Sequence, residues 1–216
     1  MHRAFMTGCD LNTEWMLPWF IKNYKKHNST PLTVMDFGMT IKMKDWLQTQ
    51  VHSIGQMNNV PPGMTGWYLK PFSMLKSPYN ETCWIDSDCE VLGNLDSVFS
   101  YLLPDKIAMV EDVPWSKRSG EKWHNSGIVA FQGKPTILRE WHEAIGQYSD
   151  KIRGDQEVLH HILDPLKTAV NIIDLPNKYN YMRVQMIDGT KCPDALVKHW
   201  TGYKGKDHIR SLIKND

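Results

Sequence analysis

The chain has 216 residues, 41% of them hydrophobic, with 25 Lys+Arg against 24 Asp+Glu and a net charge of +1. That length suits one domain over 1–216 with a sizeable core, and the apolar share is that of a soluble globular protein. The balanced charge gives no global signal for nucleic acid or an anionic membrane, and no apolar run approaches the ~18 residues of a membrane span.

Residues 4–7 read as a first strand that ends at Gly8-Cys9-Asp10-Leu11-Asn12. Thr13 is placed to cap a helix over 14–26, with Trp15 and Phe20 at helical spacing and Pro18 in the tolerant first turns. A second strand is expected over 32–37. A helix follows over 41–53, with Trp46 and Val51 facing inward, then a loop over 58–63. Residues 67–75 are helix-like despite Pro71 and lead into an apolar strand that ends in Asp86-Ser87-Asp88. Strand continues over 91–95, then a short helix ends near Leu103. A strand is expected over 107–111. Residues 112–123 read as a polar, mixed-charge loop of the kind that closes over a ligand. A strand over 125–131, an amphipathic helix over 136–148 and a helix from Gly154-Asp155-Gln156 to about Leu163 follow. A strand over 170–175 turns at Pro176-Asn177. The tail reads as a strand through His199, a flexible basic loop around Gly205, and a short helix over 208–214.

The four cysteines, Cys9, Cys83, Cys89 and Cys192, fit neither a zinc pattern nor a secreted disulfide framework. The first three sit in strand-like stretches and read as buried thiols. Only a few apolar residues follow Met1-His2-Arg3, so no signal peptide and a cytoplasmic location are expected.

Alternating strands and helices argue for an α/β fold with a largely parallel sheet, whose ligands bind at the carboxyl ends of the strands. Asp86 and Asp88 project to the same side, because strand side chains alternate with period two. Two such carboxylates repel each other unless a cation joins them, and hard oxygen ligands suit Mg²⁺ or Mn²⁺ holding phosphate oxygens. An acidic turn at a strand end has the same Asp-x-Asp pattern. Asp10, Asp86 and His199 all fall at expected strand ends, where they can converge.

Several stretches together resemble the GT-A glycosyltransferases, and among them glycosyltransferase family 8, which contains glycogenin and bacterial galactosyltransferases. They are 8–12, Lys70, the run from Trp84 to Leu95 with Asp86-Ser87-Asp88, Asn125-Ser126-Gly127, Asp155-Gln156, Leu175-Pro176-Asn177-Lys178-Tyr179-Asn180-Tyr181 and His199-Trp200-Thr201-Gly202. Their order covers nearly the whole chain. The resemblance implies a GT-A fold and a metal-dependent hexosyl transfer from a nucleotide-sugar, expected to be UDP-linked, with retention of anomeric configuration.

It further implies Mn²⁺ (or Mg²⁺) on Asp86, Asp88 and His199, with Ser87 beside them. Asp10 and Asn12 would contact base and ribose, since a carboxylate accepts the imide N–H of uracil. Lys70 would face sugar and phosphates, Asn125 and Ser126 the sugar hydroxyls, and Asp155 and Gln156 the reacting anomeric carbon. Taken alone, Lys70 also reads as a solvated helix lysine, Asp155 as a helix N-cap and His199 as a structural histidine. The family's Lys-Pro-Trp after the His is absent, and Gly205 stands at that lysine position. Its role at the leaving group would pass to Lys204 or Lys206 beside Gly202, or be lost. The chain is also short for the family, so the acceptor (a glycan, a protein or a nucleic acid) and any homo-oligomer are the least transferable features.

Two other readings compete. A nucleotidyltransferase would want a glycine-rich phosphate loop, which Gly8-Cys9-Asp10 does not supply. A non-catalytic sugar- or nucleic-acid-binding module would use the nine Trp and the basic tail, but has no need of both Asp86 and Asp88.

Overall fold

The computed structural model describes residues 2–57 and 66–215. Strand β1 (Arg3–Cys9) opens the chain, and its apolar run from Ala4 to Met6 is buried. A 3₁₀ turn at Glu14–Met16 then leads into α1 (Leu17–His27), which buries Trp19, Phe20, Ile21 and Tyr24 against the sheet. Thr13 does not cap this helix with its side chain. Its hydroxyl instead donates to Asp10 Oδ1 at 2.7 Å.

Strand β2 (Leu32–Asp36) is buried at every position, and α2 (Ile41–Leu47) follows, capped by Thr40, whose hydroxyl accepts from the Met43 N–H. The expected helix over 41–53 therefore stops early. Ser53–Gln56 forms a further strand, β3, parallel to β2. A Cβ on Gly55 would fall 2.2 Å from Met35 Sδ, so glycine is what lets this edge strand close onto its neighbour. The loop expected over 58–63 lies outside the described residues.

A 3₁₀ turn at Gly66–Leu69 runs into α3 (Lys70–Leu75), with Pro71 in its first turn. Then come β4 (Glu81–Ile85), β5 (Cys89–Val91), a 3₁₀ turn at Asp96–Tyr101 and β6 (Ile107–Glu111). The stretch read as a loop over 112–123 contains a helix, α4 (Val113–Ser119). Asp112 caps it by accepting from the Trp115 N–H, Pro114 sits in its first turn, and Gly120 ends it with a left-handed φ of 76°.

The second half adds β7 (His124–Gln132), α5 (Thr136–Tyr148), α6 (Asp155–Ile162), α7 (Pro165–Asn171) and β8 (Ile172–Leu175). It ends with β9 (Tyr181–Met182), α8 (Arg183–Ile187), β10 (Val197–His199) and α9 (Gly202–Lys214). Residues 170–171, expected in a strand, close α7 instead. The expected flexible loop around Gly205 lies inside α9, which starts at Gly202 rather than near 208.

The main sheet has the order β3-β2-β1-β4-β7-β6-β8. β7 pairs antiparallel with both neighbours, and the other described pairings in this sheet are parallel. One face packs against α1, with Leu17, Phe20 and Ile21. The other packs against α5, whose Trp141 is fully buried with Phe131 and Trp84. Trp141→Ala removes a fully buried indole and is worth about 3–5 kcal/mol of stability. A small sheet, β5-β10-β9, stands beside the main one and brings His199 to the Asp-x-Asp turn. Between Met109 and Val110 of β6 the partner on β7 jumps from Val129 to Asn125. This bulge re-aims the segment that carries Asn125, Ser126 and Gly127. Among the described residues no helix is long and apolar enough to cross a membrane.

Candidate active site

The carboxyl ends of β1 and β4 open onto a cleft with two lobes, of about 350 and 360 Å³, that share Trp67, Lys70, Asp86, Asp88 and Lys206. The first lobe is also lined by Gly8, Asp10, Asn12, Phe37 and Trp84, the second by Asn125, Gly127, Asp155, Gln156 and His199. Of the residues singled out from sequence, Asp10, Asn12, Lys70, Asp86, Ser87, Asp88, Asn125, Ser126, Asp155, Gln156, His199, Gly202 and Lys206 all line one lobe or both. Lys204 is exposed on α9 and lines neither lobe.

Lys70 is only 3% exposed, which rules out a solvated surface lysine. Its Nζ lies 3.0 Å from Asp86 Oδ1 and 3.1 Å from Asp155 Oδ2, and donates to the Ser126 carbonyl and hydroxyl at 3.0 Å each. Burial alone would lower its pKa, but Asp155 and then Asp86 outweigh that and hold the ammonium above the ordinary lysine range. Asp155 is the first residue of α6 rather than its N-cap, which is Gly154. Trp84 adds a contact that the sequence reading passed over: its indole N–H donates to Asp86 Oδ1 at 2.7 Å. Trp84 lies in β4 and Asp86 just past its end, two residues on, so period-two alternation was the signal that puts them on one side.

Asp88 Oδ1 lies 3.1 Å from His199 Nε2, and Asp88 Oδ2 accepts from Lys206 Nζ at 3.1 Å. Burial pushes this carboxyl up, but His199 and then Lys206 hold it well below the usual carboxylate range. Asp86 Oδ2 is 4.0 Å from the same His199 Nε2. Burial lowers Lys206, but Asp88 and then Asp86 together outweigh it and hold the ammonium above the ordinary lysine range. Gly205 packs against the Trp200 backbone, where a Cβ would fall 1.9 Å from the carbonyl oxygen. The position the family gives to lysine therefore admits no side chain here, and the next residue, Lys206, reaches the acidic turn.

Asp88 Oδ1 faces His199 Nε2, Asp86 Oδ2 lies 4.0 Å from the same nitrogen, and two carboxylates and one imidazole are donors of the kind a divalent cation of the Mn²⁺ type takes. Asp88, Cys89 and His199 also bring one possible ligand atom each to within 4.8 Å of one another. Burial, then Asp88 and Asp86, push the Cys89 thiol well up, which keeps it protonated within the sheet. Asp86 is the better third group on charge and hardness.

Asp10 Oδ1 accepts from the Thr13 hydroxyl and from the Asn12 N–H at 3.0 Å. Its other oxygen faces the Gly66 side of the first lobe. Gln156 is held from both ends: Oε1 accepts from Asn125 Nδ2 at 3.0 Å and the Ser126 N–H at 3.3 Å, and Nε2 donates to Asp112 Oδ2 at 3.2 Å. Asp112, at the start of the stretch read as a loop, and Asn180, within the resembling stretch from Leu175 to Tyr181, have no individual role in the sequence reading. Cys9, Cys83 and Cys89 are buried, and all four cysteines are free.

No family model and no curated protein matches this sequence. Solved structures do. An active-site glutamine-to-glutamate mutant of LgtC aligns with a TM-score of 0.70 at 12% identity, over 98% of this chain and 95% of that one. The glycosyltransferase GlyE of Streptococcus pneumoniae TIGR4 aligns with a TM-score of 0.71 at 16% identity, over 94% of this chain and 55% of that one. WbbM, a bifunctional glycosyltransferase, aligns with a TM-score of 0.70 at 13% identity, over 99% of this chain and 50% of that one. The chain thus spans about half the length of GlyE and WbbM and nearly all of LgtC. What is shared at these identities is the fold, the GT-A fold.

Proposed function

We propose that this chain is a metal-dependent glycosyltransferase that moves a hexose from a UDP-sugar to a sugar acceptor with retention of anomeric configuration. The observation that carries this reading is Lys70, a buried cation that ties the Asp-x-Asp turn at Asp86 to Asp155 in the first turn of α6, across one cleft. Supporting it are the fold shared with solved glycosyltransferases and the family resemblance of the sequence. A structure of the galactosyltransferase LgtC is described as a complex with donor and acceptor sugar analogs, which supports a sugar as acceptor. The residues 1–216 would act as one catalytic domain.

In this reading the nucleotide occupies the first lobe. Asp10 takes the base N–H and Asn12 the ribose, while Phe37, stacked on Trp84 at 6.2 Å between ring centroids, walls the lobe. The sugar occupies the second lobe, where Asn125 and Ser126 meet its hydroxyls. Gly127 has no Cβ to crowd the His199 ring, whose Cε1 would lie 2.2 Å from one. Asp86, Asp88 and His199 would hold Mn²⁺ (or Mg²⁺), which when bound neutralises the departing diphosphate as a Lewis acid. Lys206 approaches the same charge from α9 and stabilises it most as it grows. Lys70 pairs with both Asp86 and Asp155 and fixes their carboxylates.

Gln156 has both faces of its carbonyl oxygen occupied by donors, so its amide aligns the sugar rather than attacks it. Asp155 lies nearest to the position of the anomeric carbon, with its charge balanced by Lys70. Release of UDP from a panel of UDP- and GDP-sugars with Mn²⁺ tests the reading. UDP release from a UDP-hexose, abolished by chelation, is expected, and no release from any sugar nucleotide would refute it.

A further inference from the structure

One side chain holds the backbone on both sides of Arg153. Tyr68 is buried, and its hydroxyl donates to the Ile152 carbonyl at 2.5 Å and accepts from the Gly154 N–H at 3.0 Å. Arg153 therefore sits on a bend that is pinned before and after it. Gly154 makes the bend possible, with a φ of 100° that side-chain-bearing residues avoid. A Cβ there would also fall 2.1 Å from Glu157 Oε2. A backbone so fixed limits where its side chain can go, and Arg153 lines the second lobe of the cleft.

The other cations of that lobe have partners. Lys70 lies between Asp86 and Asp155, and Lys206 is on Asp88. Glu157 turns back over Gly154 in the first turn of α6, where the helix N-terminus favours a carboxylate. Arg153 is exposed and, among the described residues, has no hydrogen-bond or ion-pair partner. Its guanidinium is always charged and presents a planar fork of donors that matches a carboxylate or a phosphate. Asp86, Asp88 and Lys206, which would meet the diphosphate, line both lobes, whereas Arg153 lines the second alone. The anion it suits is thus on the sugar side of the diphosphate. Trp67 is 45% exposed at the same lobe and offers an aromatic face, which suits a pyranose ring and not a bare inorganic ion.

We propose that the second lobe takes an acidic sugar, one that carries a carboxylate or a phosphate, and that Arg153 is the residue that selects it. The acidic group belongs either to the transferred sugar, as a hexuronate, or to the acceptor. The proposal rests on the glycosyltransferase reading above and narrows its substrate class. A charged, bidentate hydrogen bond at a site open to solvent on one side gives about a tenfold gain in affinity.

The test compares sugars that differ by one acidic group, with Mn²⁺ present. For the donor, calorimetry sets UDP-glucose against UDP-glucuronate and UDP-galactose against UDP-galacturonate. For the acceptor, NMR titration of the UDP-bound protein sets glucose against glucuronate and glucose 6-phosphate, and galactose against galacturonate and galactose 6-phosphate. In wild type an acidic member should bind about tenfold more tightly than its neutral twin. A gain in the donor pairs assigns the acid to the transferred sugar, and a gain in the acceptor pairs assigns it to the acceptor. Arg153→Gln should erase the gain, and Arg153→Lys, which keeps the charge but not the fork, should keep part of it. Arg153 is exposed, so both variants should fold, which thermal melts check. No gain in any pair overturns the proposal, as does a gain that survives in Arg153→Gln. A protein that binds no sugar nucleotide refutes the glycosyltransferase reading and this proposal with it. One that binds UDP-glucose or UDP-galactose and shows no acidic gain refutes this proposal alone.

Discussion

A Cβ on Gly205 would lie 1.9 Å from the carbonyl oxygen of Trp200, so the first turn of α9 packs directly on the backbone that leaves His199. That contact sets where the next residue, Lys206, points: its Nζ reaches Asp88 at 3.1 Å. The same contact forbids a lysine at 205.

Lys206→Ala should lower kcat by about 10²-fold and change the donor KM much less, because charge on the leaving group is largest in the transition state. Lys204→Ala should leave both constants near wild type, since Lys204 is exposed and outside the cleft. Gly205→Ala should cost about 1–3 kcal/mol by overpacking and should lower kcat as well, by displacing Lys206. Steady-state kinetics and thermal melts of the three variants check this. A Lys206→Ala enzyme with wild-type kcat would remove Lys206 from the leaving group.

Lys70→Met should destabilise the protein by about 3–5 kcal/mol at pH 7, because it leaves the buried Asp155 without its cation and takes a partner from the partly exposed Asp86. The sign with pH follows from which group is lost. The raised pKa of Lys70 in the folded state contributes stability that is fully present below the ordinary lysine pKa and lost only as pH rises through the higher folded value. Both pH 7.5 and 4.5 lie below that range, so the lysine's contribution is fully present at each and the loss in the variant should not grow between them. Denaturant melts of both proteins at pH 7.5 and 4.5 measure the gap, and a gap that widens on acidification would contradict the buried-cation account.

Asp10→Ala should weaken UDP binding by about tenfold or more, the usual range for a hydrogen bond to a charged group. CDP binding should change less, because cytosine has a bare N3 where uracil carries the N–H that this carboxylate accepts. Calorimetric titration of both nucleotides checks it, and equal losses for the two would mean that Asp10 serves the turn at Thr13 and not the base.

How much was legible follows the physics of each segment. β1, β2, β4, β6 and β7 are apolar runs between turn residues, and α5 has a clear apolar face, so periodicity suffices for them. β3 is a four-residue, half-polar strand with a glycine, and it exists because Met35 lies where the Gly55 side chain would be. α4 had readable marks, a capping Asp112, Pro114 and a closing Gly120, but its mixed charge looked like loop. In α9 two glycines looked like flexibility, whereas Gly205 is there to allow contact. In the site, the acidic turn and His199 stand out by residue type and order. The pairing of Lys70 with Asp155, and the contacts of Asn180 with His199 and Asn125, join residues far apart in sequence, so neither leaves a local pattern to read.

The central claim is that Asp86, Asp88 and His199 make one cation site that holds a nucleotide diphosphate. Its most direct measurement is a calorimetric titration of UDP into the protein with and without Mn²⁺, repeated with Asp88→Ala. The account predicts UDP binding strengthened by Mn²⁺ in wild type and, in a folded Asp88→Ala protein, a residual UDP affinity that Mn²⁺ no longer changes. UDP affinity that is the same with and without Mn²⁺ in wild type, or a full Mn²⁺ effect in Asp88→Ala, would contradict it.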